Sequence, residues 1–545
     1  MKGDEVTLVE GKIESVYQPS SEKVFSLPSK VSDVKWVKDH SGFIINSNDN
    51  SIKMKNLLDE TGPGFCLAKF TQVTLHLGTG LVHSCHHPGP HKIPLEEIEN
   101  NPAALFNTTH LKRIRKEMKE GVKPSECDYC WRVENNSGLS DRFFKSIEPW
   151  ALDNYDKIIN SDPEQEFYPT YLEVDFSNVC NFKCMYCGPE YSTQWADELR
   201  RKGPVKVLES TPNEQWVQGY QKNLESLTYK HKEFNPYVDA FWKWFPEAYK
   251  HLKVYRITGG EPLLSEETFK SIDWFISNPN LEIEFNINTN LGVPEKLWNR
   301  FVEKITYLVK NKCVKKFTVF TSVDAWGEKA EYLRTGLDFE LFKQRFEELL
   351  NIGNIRVTTM CAFNILSITS MKELLEWHLY LKKKYNPSVS SVDWERDTGI
   401  PLSSTGSSFS ERALKNPDHF AIVGIDIPYL RHPSMLDAQY ITLELIQQYL
   451  LPAISFMSEN ISNGIWTNNQ GFELYELEKF KRICLQIMYR SKKEDQDMLV
   501  HRAKFFDFIN EMDKRNNTNF IEVFPEMKEF FLICKSSRDN ILCLG

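Results

Sequence analysis

The run Cys180-Asn181-Phe182-Lys183-Cys184-Met185-Tyr186-Cys187 constrains this chain more than any other stretch. It follows Tyr171-Leu172-Glu173-Val174-Asp175-Phe176, which reads as a strand, so three thiols stand in one short loop at a strand end. Thiols this close in sequence can bind three irons of one [4Fe-4S] cube, because thiolate is the ligand such clusters take. The fourth iron then has no local partner and is open to a ligand, as a catalytic metal site is and a closed structural one is not. The same spacing also admits a zinc knuckle or a set of buried thiols, although three cysteines with no nearby fourth ligand make a poor closed zinc site.

The 545 residues are enough for several domains with a sizeable core, and 41% apolar with 26% charged residues is ordinary for a globular chain. A net charge of -9 argues against broad electrostatic binding to nucleic acid. No apolar run follows Met1-Lys2-Gly3-Asp4 and no uninterrupted 18-residue apolar segment occurs, so the expectation is a cytoplasmic protein that does not enter a membrane. The 12 cysteines fall in two groups plus scattered singles, a usage that suits metal ligation in a reducing compartment.

Residues 1–60 form a lead-in of short apolar and polar runs, read as strand-poor or hairpin-bearing. The second cysteine group occupies 61–150. Thr71 to Leu77 alternates with period two and reads as a strand, Gly78-Thr79-Gly80 as its turn and Leu81 to Cys85 as its partner, which puts Cys66 and Cys85 around a hairpin. A helix over Thr109 to Glu120, ended by Gly121, leads to the knuckle Cys127-Asp128-Tyr129-Cys130. Four cysteines so arranged can close a tetrahedral shell around zinc or fill all four corners of a cube, and spacing leaves both open. His83, His86, His87 and His91 crowd around Cys85, and any of them can take the place of Cys66. Lys112, Arg113, Arg115, Lys116 and Lys119 read as a solvated helix face.

From 165 to 400 strands alternate with helices, the pattern of a parallel sheet built from βα units. Strands are expected near 171–176, 253–258, 282–288, 316–322, 355–361 and 389–394, with helices such as Pro294 to Lys310 and Phe339 to Asn351 between them. The first crossover, 191–250, carries an insertion whose Trp195, Trp216, Trp242 and Trp244 read as packing residues. Chemistry-bearing residues fall at the carboxyl ends of the strands, where ligands collect in parallel α/β folds. Gly259-Gly260-Glu261-Pro262 ends the second strand: paired glycines allow close approach, and the carboxylate can accept from an ammonium group. Asn290 follows the third strand. Ser322 and Asp324 follow the fourth, with Arg334 downstream; a serine can donate to and accept from a sugar hydroxyl, and an arginine offers a fork to a carboxylate. Asn364 follows the fifth strand, and Asp393, Glu395, Arg396 and Asp397 close the sixth as candidate substrate contacts. A Ser/Gly stretch at 403–408 opens a helical C-terminal region, 401–545, with helices over Leu436 to Ser458 and Glu473 to Met512.

The C-x3-C-x2-C loop, the G-G-E-P run, the Asn288-Thr289-Asn290 end with Leu291 where glycine is usual, and the Ser-x-Asp pair with its later arginine together resemble the radical S-adenosylmethionine (SAM) superfamily. The resemblance implies a partial (β/α)6 barrel. It implies a [4Fe-4S] cluster on Cys180, Cys184 and Cys187 whose open iron binds SAM, with Tyr186 beside the adenine, Gly259 to Pro262 at the amino group, and Ser322 and Arg334 at the ribose and carboxylate. Asn290, Asp324 and Asn364 are the remaining SAM-pocket candidates. The segment with Cys66, Cys85, Cys127 and Cys130 resembles the SPASM and twitch modules, which implies an auxiliary [4Fe-4S] cluster; here the module precedes the barrel. The implied activity is reductive cleavage of SAM to a 5'-deoxyadenosyl radical that abstracts hydrogen, in oxidative modification of a peptide or small molecule, with an external electron donor; the alternatives are an RNA-modifying enzyme of the same superfamily and a non-enzymatic iron-sulfur or zinc-stabilised binding protein.

Overall fold

In the computed structural model the described residues are 34–35, 48–208, 229, 233–386, 422–462 and 470–544. Among the described residues nine strands form one sheet in the order β11-β10-β8-β7-β6-β4-β1-β2-β3. The members are β1 (Gln72–His76), β2 (Leu81–His83), β3 (His91–Lys92), β4 (Tyr171–Asp175), β6 (Val254–Thr258), β7 (Asn280–Thr289), β8 (Val314–Ser322), β10 (Arg356–Met360) and β11 (Ile422–Asp426). A separate two-stranded ribbon pairs β5 (Lys183–Cys184) with β9 (Arg334–Thr335).

From β4 to β11 the six main strands are parallel and lie in chain order. Crossovers of one hand between strands in strict order put the connecting helices on one face. The side chains agree with this arrangement. On that face Leu172, Val174, Tyr255, Ile257, Phe285, Ile287, Phe317, Val319, Val357, Val423 and Ile425 are all buried. Most alternate positions, among them Glu173, Asp175, Arg256, Thr258, Asn286, Asn288, Thr318, Ser322, Thr358 and Asp426, are polar, with Val254, Phe320 and Met360 among the apolar exceptions. A sheet with one apolar and one polar face is covered on the first and keeps the second for ligands.

The helices between strands start and stop where their ends dictate. Asp338 accepts from the Leu341 amide to open Phe339–Ile352, and Gly353, at φ 75°, closes it. The helix Thr109–Lys119 is opened by Thr108, which accepts from the Leu111 amide, and is followed by Gly121 at φ 80°.

Two helical expectations change, and others lie in part outside the described residues. The described part of the lead-in is a helix, Asn48–Thr61, while Val24 to Leu27 and Gly42 to Ile45 lie outside the described residues. The sixth parallel strand is Ile422–Asp426, paired with β10; the expected strand at 389–394, with Asp393, Glu395, Arg396 and Asp397, lies outside the described residues, as do Trp216 and the stretch 403–408. In the span 436–458 the helix starts only at Leu443 and runs to Glu459 through a π segment at Ile446–Leu450, while the residues before it form short turns, one capped by Asp437 accepting from the Gln439 amide. The span 473–512 divides into Leu474–Ser491 and Gln496–Asn516, the second opened by Asp495 accepting from the Met498 amide.

The N-terminal cysteine segment is continuous with the main sheet. β1 pairs antiparallel with β2, as the alternation predicts, and also parallel with β4, with Val73 opposite Leu172 and Leu75 opposite Val174. One buried apolar cluster accordingly runs from Met54 to Cys534 through both regions. The last helices complete the structure around the cysteine ribbon: Lys183 Nζ donates to Asn516 Oδ1 at 2.6 Å, and the Tyr332 hydroxyl donates to Asp513 at 2.9 Å.

Candidate cofactor site

The loop after β4 is held from several sides. Trp195, fully buried, donates its indole N–H to the Cys184 carbonyl at 2.8 Å, and the Met185 amide donates to the Leu333 carbonyl at 2.9 Å. Asn181 Nδ2 donates to the Gly292 carbonyl at 2.9 Å. Phe182 plugs a socket that only glycines leave open: a Cβ at Gly292 would stand 2.4 Å from its ring, and one at Gly336 2.9 Å from it. Thus the first crossover, β7 and the β9 turn fix the three thiols together.

Cys180, Cys184 and Cys187 line a cavity of about 680 Å³ at the carboxyl ends of β4, β6, β7 and β8. Tyr186, Gly259, Gly260, Glu261, Pro262, Asn290, Ser322 and Arg334 line it with them. Burial and then the neighbouring Cys184 push the Cys180 thiol up to about 12. Burial and the other two thiols raise Cys187 as well. Burial raises Cys184 while Arg334 draws it down, its Nη1 lying 3.5 Å from the Cys184 sulfur. Three such thiols, Cys184 buried and Cys180 and Cys187 half-buried, are a donor set that a cationic centre would relieve.

The remaining candidates divide by position. Arg334, opposite Cys184 in the ribbon, donates to Asp324 at 2.8 and 3.2 Å and to the Tyr186 hydroxyl, which itself donates to Asp324 at 2.8 Å. Asp324 is fully buried, also accepts from the Ala362 amide at 2.8 Å, and does not line the cavity. It sets the arginine in place. Asn364 is buried too and caps the turn Ile365–Ser370, accepting from the Leu366 amide at 2.9 Å; it is absent from the cavity wall. Glu261 lines the cavity, yet its carboxylate is engaged inside the protein, accepting from the Leu263 amide at 3.0 Å, Thr289 Oγ1 at 2.8 Å and the Asn290 amide at 2.7 Å. Burial pushes that carboxyl up to about 7. The glycine pair serves the loop packing. At Gly259 (φ 118°) a Cβ would stand 2.3 Å from Asp175 Oδ1, and at Gly260 2.4 Å from the Val179 carbonyl. Leu291 holds φ 58°, the left-handed region in which glycine is cheapest.

No family model matches this chain, and no curated protein matches its sequence.

Some cavity residues were not among the sequence candidates. Glu190 and Tyr191 follow the cysteine loop, and His432 and Pro433 come from the turn after β11. Burial pushes the Glu190 carboxyl up to about 7, and its Oε2 is buried with no partner among the described residues. Proximity to Cys187 was a usable signal for Glu190. His432 is remote in sequence and had none.

The second cysteine group also converges. Cys66, Cys85, Cys127 and Cys130 line a hollow of about 20 Å³ together with Lys69, His86, His87 and Arg142. Among the described residues no three His, Cys, Asp or Glu stand close enough to share one metal ion. Ligands on separate irons of a cluster stand wider apart than ligands on a shared ion, so the four-thiol donor set fits a cluster in kind. Burial raises all four thiols, Cys85 to about 11 and Cys127 and Cys130 to about 12. Lys69, 2% exposed, has its own pKa raised by the Cys127, Glu126 and Cys85 charges against the opposing effect of burial.

His83 and His91 have other partners. His83 Nε2 is 3.0 Å from His76 Nε2 while its Nδ1 bonds the Cys85 carbonyl, and His91 Nε2 lies 3.1 Å from Thr108 Oγ1. His87 Nε2 bonds Asp141 at 2.6 Å. Arg115, expected on the solvated helix face, is fully buried, donating to the carbonyls of Lys69 and Phe106 and to Asn107 Oδ1. No helix among the described residues is long and apolar enough to cross a membrane.

Proposed function

We propose that the chain is a radical SAM enzyme with a partial (β/α)6 barrel, holding a [4Fe-4S] cluster on Cys180, Cys184 and Cys187 and an auxiliary cluster on Cys66, Cys85, Cys127 and Cys130. The observation that carries this reading is the meeting of three thiols with Gly259, Pro262, Asn290, Ser322 and Arg334 around one 680 Å³ cavity at the carboxyl ends of successive parallel strands. Such a volume lies within the range of cofactor sites. When bound, the cluster and SAM supply a 5'-deoxyadenosyl radical for abstracting hydrogen from a peptide or small molecule.

The chain's own part is positioning and exclusion of water. Asp324 and the Tyr186 hydroxyl hold Arg334 against the Cys184 sulfur. Ser322 offers a hydroxyl to a ribose, and Glu261 locks the end of β6 to that of β7, fixing the floor on which a ligand rests. Glu190 offers a carboxyl that can take up or release a proton near neutrality. The oxidative reading asks for an electron acceptor near the radical site, and the four thiols of the N-terminal segment, whose β1 pairs with β4, are where the chain offers one.

The test is an anaerobic assay with reductant and SAM on reconstituted protein. Wild type should form 5'-deoxyadenosine, and the Cys180→Ala/Cys184→Ala/Cys187→Ala variant should form none. Iron bound without SAM binding or cleavage would make the chain a binding protein instead.

A further inference from the structure

The polar face of the sheet carries a second cavity of about 740 Å³ at the opposite, amino ends of the same strands. One layer of side chains separates it from the cysteine cavity. In that layer the Arg256 guanidinium lies 4.6 Å above the Phe320 ring, donates to Asn288 at 3.1 Å and faces Glu173 at 3.9 Å. The interior of a closed β/α barrel is ordinarily filled by branched apolar side chains, whereas this end is lined by charge.

The charges are unevenly paired. Along β8 and β10, Lys315 and Lys316 share the single carboxylate of Glu284, at 3.8 and 3.7 Å. Arg356 beside them donates to Thr358 Oγ1 at 3.1 Å and the Tyr475 hydroxyl at 3.4 Å, and among the described residues no carboxylate pairs with it. Gly424 on β11 makes room for its guanidinium, since a Cβ there would stand 3.1 Å from Arg356 Nη2. Burial lowers the Lys316 pKa against the opposing Glu284 carboxylate, with Arg356 and Lys315 acting in the same direction as burial. The segment following the N-terminal helix Asp141–Ile147 supplies Glu148 and Asp153 to the same cavity. Neither has an ion-pair partner among the described residues, and burial raises both carboxyls. Lys145 and Lys253 line the same cavity and act on Glu148 and Asp153 from beyond ion-pair distance, as Glu473 and Glu476 act on Arg356, so Arg356, Glu148 and Asp153 are the groups without a close countercharge.

We propose that this cavity binds a small zwitterion, a free amino acid or a short peptide, with its carboxylate on Arg356 and Lys316 and its ammonium on Glu148. A guanidinium fork and a lysine match a carboxylate, and a half-buried carboxylate matches an ammonium group. The site uses none of the seven motif cysteines, so it stands or falls apart from the radical SAM reading.

The experiment is ligand-observed NMR titration of the full-length protein with triglycine, N-acetyl-triglycine and triglycine amide. Triglycine is expected to bind, and each singly blocked form to bind at least tenfold more weakly. Arg356→Met and Glu148→Gln should each weaken triglycine binding at least fivefold, with the melting temperature of each variant measured alongside; Lys316→Met serves as the second cationic variant if Arg356→Met fails to fold. The proposal is overturned if triglycine does not bind, if the blocked forms bind as well as the free peptide, or if folded variants bind it as wild type does.

Discussion

The two cysteine regions differ in room and in countercharge. The Cys180, Cys184 and Cys187 cavity has about 680 Å³ of free space and one guanidinium at its thiols, whereas the Cys66, Cys85, Cys127 and Cys130 hollow has about 20 Å³ and both Lys69 and Arg142 in its wall. If the thiols ligate as proposed, three with space beside them leave a position for a second molecule, and four with no such space make a closed centre. Adding cations to the closed one suits a group that carries negative charge and must be buried. One sheet carries both, since β1 of the closed region lies in register beside β4 of the open one.

Substitutions at the two ligand sets should break the comparison most completely. Cys184→Ala is expected to abolish 5'-deoxyadenosine formation and to lose about four irons per chain, while Cys127→Ala should lose a similar number and still cleave SAM. Iron and sulfide analysis beside product chromatography reads both. If either variant emptied both sites, the two regions would be one centre.

The next effect concerns the Asp324–Arg334 clamp of the open region. Asp324→Ala leaves the Arg334 guanidinium buried without its carboxylate and should cost about 3–5 kcal/mol in denaturant unfolding. A loss under about 1 kcal/mol, the scale of an exposed ion pair, would remove the clamp from the account. In the closed region, Lys69→Met should weaken retention of the auxiliary metal by about 10–100-fold in chelator competition, as loss of an outer partner of a metal site does. The open centre should be unaffected.

Alkaline stability of metal-free protein gives a finer contrast. Cys127, Cys130 and Cys180 are pushed up to about 12 in the folded chain, above their ordinary value of 9.0. A thiol whose folded pKa is raised contributes stability fully below the unfolded pKa and loses it as pH rises toward the folded one. Metal-free protein should therefore lose stability between pH 9 and 12, and metal-loaded protein should resist that loss because its thiols are already deprotonated on the metal. Thermal melts across that range check it. The smallest effect is Trp195→Phe, which removes the bond to the Cys184 carbonyl and should cost about 1 kcal/mol, together with some looseness of the open centre's loop.

Much of this arrangement can be read from the chain itself. Alternation in Tyr171 to Asp175 and in Arg356 to Met360 marks strands, and Gly121 and Gly353 mark helix ends, because period and backbone freedom are local properties. Both cysteine groups converge as their spacing suggests. What stayed hidden depends on partners distant in sequence. Period two identifies β1 as a strand and says nothing of its pairing with β4. The Ser-x-Asp and Asn364 motifs name polar residues without showing that Asp324 and Asn364 turn into the protein, Asp324 to an arginine and Asn364 to a turn. Ile422 to Asp426 is short and interrupted by Gly424, so it reads weakly as a strand. His432 reaches the cavity only through the fold.

The most direct measurement is electron paramagnetic resonance of the reduced Cys66→Ala/Cys85→Ala/Cys127→Ala/Cys130→Ala variant, with and without SAM. With the closed region emptied, the account predicts one remaining cluster signal whose shape changes when SAM is added. A cluster signal that SAM leaves unchanged would contradict it.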